Sequence, residues 1–153
     1  MTPYINPWNS PLNSSEANSP DRLENSSGKP TILIVEDDPD NAFLARYISE
    51  TAGYISHAAS SGNEALGLLD RHQYDLMLLD IVLPDIDGFG ILQEVRQRYP
   101  TTKMPIIAVT AMAYHWQQQH IIEAGFDGYL CKPYTLEAME TLLLKYCSCK
   151  SSL

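Results

Sequence analysis

Cysteine is scarce in this chain of 153 residues: Cys131, Cys147 and Cys149 are the whole supply. An odd, sparse count excludes a disulfide framework. Cys147 and Cys149 lack the second pair that would complete a soft-metal site, so free thiols in a reducing compartment are expected. Basic residues are also few, ten Lys and Arg against 19 Asp and Glu, for a net charge of −9. With no basic stripe, direct binding of nucleic acid is excluded on electrostatic grounds. No run of 18 apolar residues occurs, so no spanning helix and no membrane insertion are expected. The N-terminus has neither the basic segment nor the apolar segment of a signal peptide. Together these absences point to a cytoplasmic location. Neither GxGxxG nor GxxxxGK[ST] is present, which argues against dinucleotide and P-loop sites.

What is present is enough for one domain. Hydrophobic residues make up 44% of the chain, and domains of roughly 100–150 residues are the commonest size. Pro, Asn and Ser fill 15 of the first 29 positions, and the sizeable apolar residues there (Met1, Tyr4, Ile5, Trp8, Leu12, Leu23) follow no period. Such a segment buries too little to offset its ordering entropy. Residues 1–29 are therefore expected to be a flexible tail, 30–148 the domain, and 149–153 a short C-terminal tail.

From Thr31 a regular alternation sets in. TILIV (31–35) is an apolar run ended by acids, as a buried parallel strand requires. Asp38 and Pro39 then open a helix as N-cap and first residue, with Phe43, Leu44, Tyr47, Ile48 and Ala52 as its inward stripe. Residues 54–59 form a weaker strand at a sheet edge. A helix follows over 63–72, then a strand over 75–79, then a helix marked by Phe89, Leu92, Val95 and Tyr99. The strand 105–109, the weakly amphipathic helix 114–124, the strand 128–131 and a helix striped by Leu136, Met139, Leu142, Leu143 and Tyr146 complete the series. Five strand–helix units imply an α/β fold: a five-stranded parallel sheet with helices on both faces. The flavodoxin-like order 2-1-3-4-5 is the natural choice.

In such sheets ligands bind beyond the carboxyl ends of the strands. The first strand ends on Glu36, Asp37 and Asp38, the third on Asp80, the fourth on Thr110 and Ala111, the fifth on Lys132 and Pro133. Each residue alone has an ordinary reading as a cap, a turn or a solvated charge. Their convergence on one crevice favours a site. Carboxylates this close repel one another, and a hard divalent cation removes that cost. Two or three carboxylates with water and a backbone carbonyl suit octahedral Mg2+. The same acids would repel the phosphate of a flavin.

Four segments, ILIVEDDPDN (32–41), LLDIVLPDIDG (78–88), PIIAVTA (105–111) and GYLCKPY (128–134), resemble the receiver domain of two-component response regulators. The resemblance covers residues 31–147. It implies Asp80 as phosphoacceptor. It implies Glu36, Asp37 and Asp80 with the Val82 carbonyl as metal ligands, and Lys132 as partner of the phosphoryl group. Thr110 is implied as hydroxyl donor and Tyr129 as the aromatic that turns inward with it. Pro133 follows a cis peptide bond in this family. Glu36 stands where many receivers carry Asp.

A magnesium phosphatase of the haloacid dehalogenase type is the enzyme rival. It needs a second Asp two residues after the nucleophile, where this chain has Val82. The chain is therefore expected to be a phosphoacceptor rather than an enzyme, taking its phosphoryl group from a histidine kinase or histidine phosphotransfer protein. It is a single-domain regulator, or else the receiver fragment of a hybrid kinase; Met1 and the N-terminal tail favour the first. Output through the fourth helix, fifth strand and fifth helix is implied. Tyr114, His115 and Trp116 there are either a contact patch or packing against the sheet edge. Val82 and Met112, two residues after Asp80 and Thr110, flank the path of hydrolytic water in the family. Being apolar, they predict a long-lived phosphorylated state.

Overall fold

A computed structural model describes residues 27–111 and 114–147 of the chain. Of the expected N-terminal tail it covers Ser27, Gly28 and Lys29 alone; the expected C-terminal tail over 149–153, together with Met112, lies outside the described residues.

Strand β1 (Thr31–Val35) is buried at all five positions, as a central strand covered on both faces must be. The other strands are β2 (Ile55–Ala59), β3 (Leu76–Asp80), β4 (Ile106–Thr110) and β5 (Gly128–Cys131). All pairings are parallel, in the order β2-β1-β3-β4-β5. Between and after them run α1 (Pro39–Thr51), α2 (Gly62–Arg71), α3 (Gly88–Arg98), α4 (His115–Ala124) and α5 (Leu136–Cys147). The expected topology holds, with β2 at one edge. Strands β3 and β4 each run one residue further than the apolar pattern suggests, so that Asp80 and Thr110 are their last residues.

Alternation along the strands divides the core in two. Ile32, Ile34, Leu78 and Ile107 pack with Ala45 and Ile48 of α1 and Met139 and Leu143 of α5. Leu33, Met77, Leu79 and Ala108 pack with Leu66 and Leu69 of α2, Ile91 and Leu92 of α3, and Ile121 of α4. Each fully buried aliphatic side chain contributes on the order of 2 kcal/mol.

The inward stripe expected for α1 needs correction. Phe43, Leu44 and Tyr47 are 71%, 45% and 57% exposed, and Ala52 is exposed as well. The buried positions are Ala45, Ile48 and Ser49. Two of these are small, which lets the helix lie close on the sheet, and the Ser49 hydroxyl is satisfied by donating to the Ala45 carbonyl at 2.7 Å. A step of about 100° per residue then carries positions 43, 44 and 47 to the outer face. Leu136 of α5 is likewise exposed. Tyr114 and Trp116 at the start of α4 are 69% and 67% exposed, so they do not pack against the sheet edge.

Gly88 brings α3 up to the site. A Cβ there would lie 2.7 Å from Ile81 Cα and 2.9 Å from the Asp80 carbonyl oxygen, so no larger residue fits without moving the end of β3. Its own N–H donates to the Ile81 carbonyl at 2.8 Å.

Candidate functional site

The ladder between β1 and β2 continues one residue past Val35, with the Glu36 N–H donating to the Ala59 carbonyl at 2.9 Å. This holds Glu36 in line with the strand, buried to 7% exposure. The chain then turns. Asp37 is exposed, and the Asp38 side chain accepts from the N–H groups of Asp40 and Asn41, both at 2.9 Å, as the cap of α1. Asp38 is thus a capping residue and no part of the cluster beside it. Asp80, also 7% exposed, closes β3 next to β1, and one of its oxygens accepts from the Val82 N–H at 3.0 Å.

Lys132, the residue after β5, reaches back across the end of the sheet. Its backbone N–H donates to the Thr110 carbonyl at 2.7 Å. Its ammonium donates to Asp80 Oδ2 at 3.0 Å and to Glu36 Oε1. The Lys132–Pro133 peptide is cis. Thr110, 2% exposed, sits at the end of β4. Tyr129 is half-buried and its hydroxyl donates to Gln118 Oε1 of α4 at 3.0 Å. Gln118 also approaches Cys131 Sγ at 3.7 Å, so Cys131 faces α4 and stands away from the carboxylates. The sheet order brings residues separated by up to 96 positions to one point.

Glu36, Asp37 and Asp80 each place one carboxylate oxygen within 4.8 Å of the others. These are hard donors at the spacing of a shared cation, with neither His nor Cys among them. They suit an ion of the Mg2+ type rather than a soft metal. Burial, the hydrogen bond to Asp80 and that neighbour's charge push the Glu36 carboxyl up to about 7, against the opposing pull of Lys132. Burial alone would lower the Lys132 ammonium, but its hydrogen bonds to Glu36 and Asp80 outweigh that and raise it. Lys132 is thus the cation that balances the buried pair when no metal does.

A pH dependence follows. Between about 4.5 and about 7 the folded protein holds a proton on Glu36 that the unfolded chain has lost. Stability from this group is present in full below that window and falls as pH rises through it. Lys132 stays charged throughout. In thermal melts of metal-free protein, the wild type should lose more stability from pH 5 to pH 7.5 than Glu36→Gln does. Equal slopes would show that Glu36 titrates normally.

The response regulator receiver domain family matches residues 32–144. The chain belongs to that family. A 14.6 kDa uncharacterized protein of Leptolyngbya boryana is 37% identical over 116 residues, which is 76% of this chain and 88% of that one. The aerobic respiration control sensor ArcB of Escherichia coli K12 is 36% identical over 75% of this chain, and the sensor histidine kinase RcsC of the same strain 34% over 84%. The chain matches only 15% and 13% of those two proteins. Among solved structures, a CheY-like receiver domain protein of Methanospirillum hungatei superposes with a TM-score of 0.72 at 28% identity. It covers 80% of this chain and 97% of that one. A two-component response regulator of Clostridium difficile gives 0.71 at 29%, over 77% and 95%.

In this receiver the structure brings together Glu36, Asp37, Asp80 and Lys132, with Thr110 joined to Lys132 through its backbone carbonyl. Ala111 is exposed beside them, and Met112 is outside the described residues. No described helix is long and apolar enough to cross a membrane. Two participants were not anticipated. Tyr134 lines a small cleft together with Glu36, Asp80, Asn41, Ala45 and Met139, and burial raises its phenol. It lies inside the GYLCKPY segment, yet nothing in its type distinguishes a wall of the site from a turn. Gln118 is the other; a lone glutamine on a weakly amphipathic helix carries no signal.

Proposed function

We propose that this receiver takes a phosphoryl group onto Asp80 from a phosphohistidine, on a histidine kinase or a histidine phosphotransfer protein, with Mg2+ bound at Glu36, Asp37, Asp80 and the Val82 carbonyl. The acting unit is residues 30–148. The observation that carries this reading is Asp80 at the end of β3, paired with Lys132 and sharing an oxygen cluster with Glu36 and Asp37.

A carboxylate oxygen of Asp80 attacks phosphorus in line. The O–P bond forms, the P–N bond to the donor imidazole breaks, and its electron pair returns to that ring. Mg2+ held by Glu36, Asp37 and Asp80 would supply positive charge against the phosphoryl oxygens and the two buried carboxylates. Lys132 supplies a further positive charge, already oriented by its bond to Asp80. The Thr110 hydroxyl donates to a phosphoryl oxygen. The added charge draws Thr110 and Lys132 inward. Lys132 is tied to β4 through its backbone, and Tyr129 is tied to α4 through Gln118. The movement therefore biases the α4–β5–α5 face toward a second arrangement, and that face meets the downstream protein. Similarity to ArcB and RcsC supports a phosphorelay donor for the reaction.

Incubation with acetyl phosphate and Mg2+ tests the reading. One hydroxylamine-labile phosphoryl group per chain is expected; no labelling would leave a plain binding module. The lifetime of that group provides a further prediction. Val82 is 70% exposed and offers incoming water no hydrogen bond. Val82→Asn, which can orient water, should speed loss of phosphate by about threefold to tenfold, a barrier change of up to about 1.4 kcal/mol. Unchanged decay would show that this side chain does not set the lifetime.

A further inference from the structure

Helix α2 starts on a device outside its own sequence. In the loop between β3 and α3, Asp85 Oδ1 accepts from the Gly62 N–H and Oδ2 from the Asn63 N–H, both at 2.9 Å. The N-cap Ser61 accepts from the Glu64 N–H at 3.2 Å. The first three N–H groups of α2 are thereby satisfied, two of them by a carboxylate 22 and 23 residues further along the chain. Such a pairing is charge-assisted and sits at the positive end of the helix dipole. The N–H groups of Asn63 and Gly62 hold the Asp85 carboxyl below its ordinary value.

The packing beneath is close. A Cβ on Gly62 would lie 2.2 Å from Ile91 Cδ1 and 3.3 Å from Ile86 Cβ, so the bare backbone is what lets α2 meet the loop and α3. Ile81, Leu83 and Ile86 seat the loop on the core, while Val82, Pro84, Asp85 and Asp87 between them are exposed. Polar ties fix these exposed residues. The Val82 N–H donates to Asp80, the Gly88 N–H donates to Ile81, and Asp87 caps α3 by accepting from the Gly90 N–H at 2.8 Å. Those ties are local. Asp85 ties the middle of the loop to a different element.

We propose that Asp85 is a positioning residue for the metal site: by clamping the β3–α3 loop to the start of α2, it holds the Val82 carbonyl where a divalent cation can take it as a ligand. This rests on the reading of the Val82 carbonyl as a ligand given above. A hard cation tolerates misplacement of a ligand by only about 0.5 Å, so a loop free to swing loses affinity before it loses its fold.

The test compares Asp85→Ala with Ser61→Ala. Both remove one support from the same helix end, and both should lower the thermal midpoint, but only the first releases the loop. Calorimetric titration with Mg2+ alone should show binding weakened about tenfold in Asp85→Ala and unchanged in Ser61→Ala. Without metal, the Val82 amide should exchange hydrogen faster in Asp85→Ala and at the wild-type rate in Ser61→Ala. Equal Mg2+ affinities in the two variants, or an unchanged Val82 amide in Asp85→Ala, would reduce Asp85 to a helix cap and overturn the proposal. Asp37→Ala separates the two ways to fail. If it too leaves Mg2+ affinity unchanged, the metal site is misplaced and the clamp falls with it; if it weakens binding while Asp85→Ala does not, the clamp alone is wrong.

Discussion

Asp80→Asn is expected to bring phosphorylation by acetyl phosphate from stoichiometric to background, with no loss of fold. The amide is nearly isosteric with the carboxylate, and its oxygen can still accept the Val82 N–H that Asp80 holds at 3.0 Å. It has no anionic oxygen to attack phosphorus. It also lifts the charge that Asp80 imposes on Glu36, a contributor to the raised pKa of that neighbour. Lys132 keeps Glu36 as partner, so no buried charge is left uncompensated. The unfolding midpoint of the metal-free variant should therefore match or exceed that of the wild type. Intact-mass measurement after acetyl phosphate and Mg2+ decides the matter. Stoichiometric, hydroxylamine-labile phosphate on the variant would move the acceptor to another carboxylate, with Glu36 and Asp37 first in line.

Asp37→Ala should produce the second large effect, a loss of Mg2+ affinity of tenfold or more, about 1.4 kcal/mol or above. Asp37 is the exposed member of the oxygen cluster, so its removal deletes a ligand without opening a cavity. It also deletes a negative charge beside two buried ones. Metal-free stability should be unchanged or higher, while the stabilisation gained on adding Mg2+ shrinks as the occupied fraction falls. Asp40→Ala is the control. It removes an equal charge from the first turn of α1, outside the cluster, and should leave the affinity within about twofold. If both variants bind alike, the metal is held by bulk acidity rather than by this site.

The alternation of apolar strands with helices, and with it the parallel sheet, was legible from residue order because both follow from local periodicity. The acids at the ends of β1 and β3, the hydroxyl at the end of β4 and the lysine after β5 could be placed on one edge for the same reason. A parallel strand has one carboxyl end, so strand order alone decides which ends are neighbours. Tertiary structure decided the rest. The buried face of α1 is set by how closely Ala45 and Ser49 let the helix approach the sheet, and no count of large apolar residues could show that Phe43, Leu44 and Tyr47 face outward. That Lys132 bridges both buried carboxylates depends on the reach of one side chain across three strands. Asp85 reads in sequence as one more turn residue. Its grip on α2 exists only because the fold sets that loop against a helix start more than 20 residues away, and contact between distant segments leaves no periodic trace in a sequence.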